Sequence, residues 1–164
     1  MPHLTTDELI DYTNGDRKKW HQWLVANPEA ISVPAQRQGR FLSVGSLIDH
    51  IFLVERRHLQ RLMGQSPIAD RTGVADTDVA GLFAFGDRAR EDLVEYARSL
   101  GEDAAGTLHQ FEVRGERIAM TPRKLLLHIF IHEIRHWAQV ALVLRNAGHE
   151  PPGNHDLFYS DALK

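Results

Sequence analysis

Cysteine is absent from the 164 residues. That excludes a disulfide framework, a cysteine-ligated zinc finger and a thiol nucleophile supplied by the chain. Nowhere do about 18 apolar residues run together, so no membrane span is expected. A basic excess is missing as well. Lys and Arg number 19 against 22 Asp and Glu, a formal net charge of −3 with the histidines neutral. Proteins that grip phosphate backbones carry such an excess or a basic stripe, so nucleic acid is not expected as a ligand. The start, MPHLTTDELIDY, lacks a basic stretch leading into an apolar run; no secretion signal is expected and the reading is cytoplasmic. At 43% hydrophobic residues the chain can bury a core, and its length fits one domain over residues 1–164.

What is abundant is histidine, ten in all. Its placement follows from the order of the predicted elements. Pro34 with PAQRQGR, then Gly64 to SPIADRTGVAD, then Gly101 to Gly106, and finally GHEPPGNHD interrupt the chain. Four stretches with helical periodicity lie between these breaks. The first runs from about Thr6 to Asn27, capped by Thr5 or Thr6, with Leu9, Tyr12, Trp20, Trp23 and Leu24 on one face. The second runs from about Ser43 to Met63, with Leu47, Ile48, Ile51, Phe52, Leu59 and Leu62 at three- and four-residue steps and Gly64 as its stop. A third starts near Thr77, capped by Asp76 or Thr77, and ends near Leu100. The fourth opens at Thr121-Pro122, a cap and first-turn pair, and runs to Ala147. Phe111 and Val113 before Arg114-Gly115, and Ile118 and Met120 after it, predict a short hairpin. The expected fold is all-α, a four-helix bundle with that hairpin between helices three and four.

The fourth helix carries His128, His132 and His136 at successive four-residue steps. They stack on one face together with Leu125, Ile129, Val140 and Val143 and are expected to point inward. Two imidazoles at i and i+4 can close on one metal ion at about 2.0–2.1 Å. Burying three without an ion would leave polar nitrogens in need of partners, at about 1–3 kcal/mol each if unmet. A further ligand has to come from another element. His50, one turn after Leu47 in the second helix, can face the core; its spacing alone leaves open whether it is a ligand or a hydrogen-bonded core residue. His58, flanked by Arg56, Arg57 and Arg61, reads as part of a solvated face. His3, His21, His109, His149 and His155 are given surface readings.

His132 to His136 also spell HExxH, the string that in zinc peptidases supplies two ligands and a glutamate base. The extended pattern calls for a glycine and a third histidine, where this chain has Gln139 and Leu142. The peptidase reading is therefore kept as a third alternative.

A helical bundle with a histidine early in helix two and HExxHxxQ in helix four resembles the DinB-like superfamily. The resemblance rests on His50 within LIDHIFLVER, on HEIRHWAQ, and on the tail LRNAGHEPPGNHDLFY, so it spans nearly the whole chain. It implies a divalent ion, zinc or nickel first and iron or manganese next, held by His50, His132 and His136, with water or substrate in the remaining positions. It also implies a metal-dependent enzyme working on a small-molecule substrate, either a thiol-dependent S-transferase or isomerase with a low-molecular-weight thiol cosubstrate, or a hydrolase. A homodimer is implied too. Where the family often has arginine-glycine after the last histidine, this chain has Trp137-Ala138. Glu133, about 100° around the helix from His132, is a candidate base or supporting group. His128 is a candidate for lining the pocket, and Gln139 for orienting a ligand. The alternative is a non-catalytic, stress-associated metal-binding bundle that acts through a dimer or a protein partner.

Overall fold

The computed structural model describes residues 4–36, 41–70, 74–113, 115–154 and 156–162. His3, Arg114 and His155, each given a place in the sequence reading, lie outside them. Helix α1 (Thr6–Ala26) begins at a capping box: the Thr5 hydroxyl accepts from the Glu8 N–H at 3.2 Å, and the Glu8 carboxylate accepts from the Thr5 N–H at 2.7 Å. Such a cap satisfies backbone donors that the first helical turn cannot. Helix α2 (Val44–Leu62) is capped likewise by Ser43, and it ends as expected at Gly64, whose φ of 70° is the left-handed conformation glycine adopts without strain.

Helix α3 (Val79–Ser99) starts later than the periodicity suggests. Its cap is Asp78, which accepts from the Gly81 N–H at 2.9 Å. Asp76, an expected cap, instead receives the Ser43 hydroxyl at 3.4 Å and so ties this loop to the start of α2. A single short turn, α4 (Glu102–Gly106), precedes the hairpin of β1 (His109–Val113) and β2 (Glu116–Met120). Its register pairs Phe111 with Ile118 and Val113 with Glu116, about the predicted turn. Helix α5 (Pro122–Asn146) follows, with Thr121 accepting from the Lys124 N–H and Pro122 in the first turn. Two 3-10 turns, Pro28–Ser32 and Leu157–Tyr159, had no periodicity by which to be read. No helix among the described residues is long and apolar enough to cross a membrane.

The four long helices enclose two apolar clusters. One is built on Trp20, Phe52, Phe83 and Trp137, with the two indoles stacked at 5.0 Å between ring centroids. The other is built on Ile10, Leu59, Leu93, Ile129 and Phe130. Gly86 lets α3 approach α2 closely, since a Cβ there would lie 2.7 Å from the Phe52 ring. Trp137 directly follows the last of the three histidines of α5. It is buried in the first cluster, which accounts physically for an aromatic at that position.

The segment after α5 folds back along α1. There the Lys19 ammonium donates to the Asn154 carbonyl, and Asp11, Asp16, Asp156 and Tyr159 line a cavity of about 330 Å³. Among the described residues Asp16 Oδ1 has no hydrogen-bond partner. Burial, followed by the nearby Glu133 charge, pushes the Asp16 carboxyl up to about 7. The unfolded chain ionises Asp16 from about pH 4, whereas the folded chain holds the proton to about pH 7. Stability is therefore lost as pH rises through that window, by up to about 4 kcal/mol. Asp16→Asn is expected to be near-neutral at pH 4 and stabilising at pH 8, measured as the change in Tm at each pH. Equal changes at both would show an ordinary carboxylate.

Candidate metal centre

Helices α2 and α5 pack side by side and bring three imidazoles together. His132 Nε2 lies 3.1 Å from His50 Nε2 and 3.1 Å from His136 Nε2. The three residues form a group that could hold a metal ion, each offering one ligand atom, all within 4.8 Å of one another. Nitrogens about 2.05 Å from a shared ion lie about 3.3 Å apart in a tetrahedral site and about 2.9 Å apart at cis-octahedral positions. The two distances from His132 fall between these values, and all three ligand atoms lie within 4.8 Å of one another, so the donor set suits a divalent ion.

The electrostatics agree. Burial first, and then the neighbouring His136 and His50, push the His132 imidazole down to about 3; its lone pair is free at neutral pH, as a ligand requires. Gln139 Oε1 accepts from His136 Nδ1 at 2.7 Å. That contact assigns the proton to Nδ1 and leaves Nε2 to face the cluster. Phe41 closes the triad from outside, its ring 4.8 Å from that of His50 and 6.0 Å from that of His136. It lies just after an interrupted stretch and carried no sequence signal.

His50 and His132 stand at one end of a cleft of about 1210 Å³ between α2, the loop after it, the hairpin and the start of α5. His58 and His128 line the same cleft, with ring centroids 5.3 Å apart. His128 is largely exposed at its rim, not pointed fully inward as its helical face suggested. His58 departs from its expected solvated setting: it is half-buried, and burial followed by the Arg61 charge pushes it down to about 4. Of its arginine neighbours, Arg57 and Arg61 line the cleft with it, whereas Arg56 pairs with Asp92. His21, also read as surface, is half-buried against Phe83 with ring centroids 4.2 Å apart.

Glu133 points elsewhere. It belongs to a buried four-residue ion network that joins all four long helices: Arg17 of α1, Glu55 of α2, Arg90 of α3 and Glu133 of α5. None is more than 5% exposed. Arg17 donates to Glu133 Oε1 at 3.0 Å and to Glu55 Oε2 at 2.8 Å. Arg90 donates to both Glu55 oxygens, at 3.1 and 2.8 Å, and to Glu133 Oε2. Trp137 Nε1 adds a further bond to Glu133 Oε1 at 3.2 Å. Burial alone would raise the Glu55 pKa, but the two guanidiniums overcome it and hold the carboxyl below its usual range. The same carboxylates hold Arg90, despite its burial, above its ordinary value. The structure thus commits Glu133 to anchoring the helix turn between His132 and His136 and does not bring it to the histidine cluster. A glutamate base of the peptidase kind would have to leave three partners to act.

Comparison with known proteins agrees with this architecture. No protein of curated function matches the chain. Among solved structures, a DinB-like protein of Bacillus subtilis is similar in fold, with a TM-score of 0.61 at 17% identity, over 92% of this chain and 96% of that one. The profile of the DinB family matches residues 1–162, a span that includes both helices bearing the three histidines, and the chain accordingly belongs to the DinB family.

Proposed function

We propose that the protein is a metal-dependent enzyme acting on a small molecule, with a divalent ion, zinc or nickel first, held by His50, His132 and His136. The observation that carries this reading is the convergence of His50 and His136 on His132, each with its Nε2 3.1 Å from the His132 Nε2, at the end of a cleft large enough for a substrate. Three protein ligands leave coordination positions open, the arrangement of catalytic rather than structural sites. An ion there would supply Lewis acidity, lowering the pKa of a bound water or thiol. The chain lacks cysteine, so in S-transfer or isomerisation the sulfur would arrive with a low-molecular-weight thiol cosubstrate; hydrolysis would need only water.

The residues around the triad have separable tasks. Gln139 fixes the His136 tautomer. His128, on the cleft rim one turn before His132, is placed to accept or return a proton from a bound molecule. Glu133 holds the ligand-bearing turn of α5 in place through Arg17 and Arg90.

The test is elemental analysis of untagged protein beside turnover assays with small thiols plus an electrophile, and with hydrolysable esters and amides. Near one ion per chain and turnover that a chelator removes and re-added metal restores would support the reading. No ion under any loading condition would overturn it. Gln139→Leu is expected to weaken ion affinity by about 10–100-fold, measured by competition with a chromogenic chelator, while Gln139→Glu, which keeps the acceptor, retains it.

A homodimer is also proposed, through the outer face of α5, where Ile131 and Leu142 are 50% and 57% exposed. Light scattering on wild type and Ile131→Glu tests it, with a dimer expected for the first and a monomer for the second.

A further inference from the structure

The cleft wall beyond the triad carries charge that the metal reading does not use. His50, Val54, Arg57, His58 and Arg61 recur at helical steps along one face of α2 and all line the cleft. Arg57 and Arg61 are one turn apart, a spacing at which like charges repel. Burial, followed by the Arg57 charge, depresses the Arg61 pKa.

No carboxylate among the described residues forms an ion pair with either arginine. Glu112 and Glu116 line the facing hairpin wall without reaching them. The contacts the two arginines do make are to neutral groups. Arg57 donates to the Ile68 carbonyl at 2.8 Å and to the Ala69 carbonyl. Arg61 donates to the Glu112 carbonyl at 3.2 Å and meets His58 Nδ1 at 3.5 Å. Backbone carbonyls orient a guanidinium without neutralising it, and each arginine has five N–H donors, more than these contacts take up. Elsewhere in the molecule the two buried arginines are matched by two carboxylates; the half-buried cleft pair is not matched in this way.

We propose that this pair is an oxyanion subsite, and that the cleft takes an elongated molecule with a carboxylate or phosphate at one end. Guanidinium forks pair with either group in bidentate fashion. At 1.5 Å per helical residue, Arg57 and Arg61 lie about 10 and 16 Å along α2 from His50. A molecule whose acidic group sits on the arginines therefore reaches the triad with its other end about 10 Å away. Which atom meets the triad rests on the metal reading above; the anion subsite rests on the arginines alone.

Isothermal titration of zinc-treated protein with ω-mercaptooctanoate, mercaptooctyl phosphate and mercaptooctanol tests this directly. These probes share the chain and the thiol and differ in the far end. At least tenfold tighter binding of an anionic probe than of the alcohol is expected, and whichever acid binds tighter identifies the group. In Arg57→Gln/Arg61→Gln the preference should fall to parity with ion content unchanged. Arg57 also anchors the loop after α2, so Arg61→Gln alone should show a partial loss, and Arg61→Lys, which keeps the charge without the fork, should restore part of it. Parity of the three probes on wild type, or a preference that survives in the double variant, overturns the proposal. Elemental analysis of the same samples separates the two readings: an anion preference in protein that holds no ion supports the subsite and removes the metal.

Discussion

His132→Ala is expected to strip the ion from the protein. His132 is the middle member of the triad, 3.1 Å from each of the other two nitrogens, so its loss leaves two ligands with a gap between them. Losing a supporting contact costs about 10–100-fold in metal affinity; losing a ligand should exceed that. Elemental analysis of untagged protein should fall from near one ion per chain to background, and His50→Ala and His136→Ala should each follow. His109→Ala, an exposed histidine on β1, should leave metal content untouched. An ion retained by His132→Ala would dispose of the three-histidine centre. Dependence on His132 and His136 but not on His50 would instead place the ion on α5 with ligands from elsewhere.

The second large effect lies in the core. Glu55→Ala should destabilise the protein by about 3–5 kcal/mol, a fall in Tm of about 6–20 °C for a chain of this size. Glu55 takes three hydrogen bonds from Arg17 and Arg90, and without it two buried guanidiniums share Glu133 alone. The cost comes mostly from the charge left unpaired, because burying four ions is itself expensive. Arg56→Ala gives the contrast. Its pair with Asp92 lies at the surface, where such pairs contribute about 0–1 kcal/mol. Thermal melts of the two variants should separate cleanly. A Glu55→Ala loss as small as that of Arg56→Ala would mean that water reaches the network.

Features that depend on neighbours in the sequence were legible in it. Thr5, and Thr121 with Pro122, mark helix starts because a cap bonds only a few residues ahead. The alignment of His128, His132 and His136 follows from the pitch of the helix. His50 could be placed near the core by its spacing from Leu47, but its meeting with His132 spans 82 residues, and the resemblance to the family, not periodicity, pointed there. The Arg17–Glu55–Arg90–Glu133 network was not legible. Arg17, Glu55 and Arg90, taken alone, look like charges on solvated helix faces, Glu133 was a candidate base or supporting group, and only the packing of four helices shows that they meet. His58 was misjudged for the same reason: arginines beside it signal solvent when the cleft they line is out of view. Asp76 yielded the α3 cap to Asp78 because it is engaged with Ser43, a contact that a linear reading cannot contain.

The hairpin forms one wall of the cleft, yet Phe111 is the one residue of its strands that is buried, and neither apolar cluster draws on it. Rebuilding β1 and β2 would reshape what the cleft admits at little cost to the bundle, whereas the ligand-bearing turn of α5 is fixed in the core by Glu133. On the proposed function, a protein divided in this way can exchange its substrate over evolutionary time while its metal chemistry stays as it is.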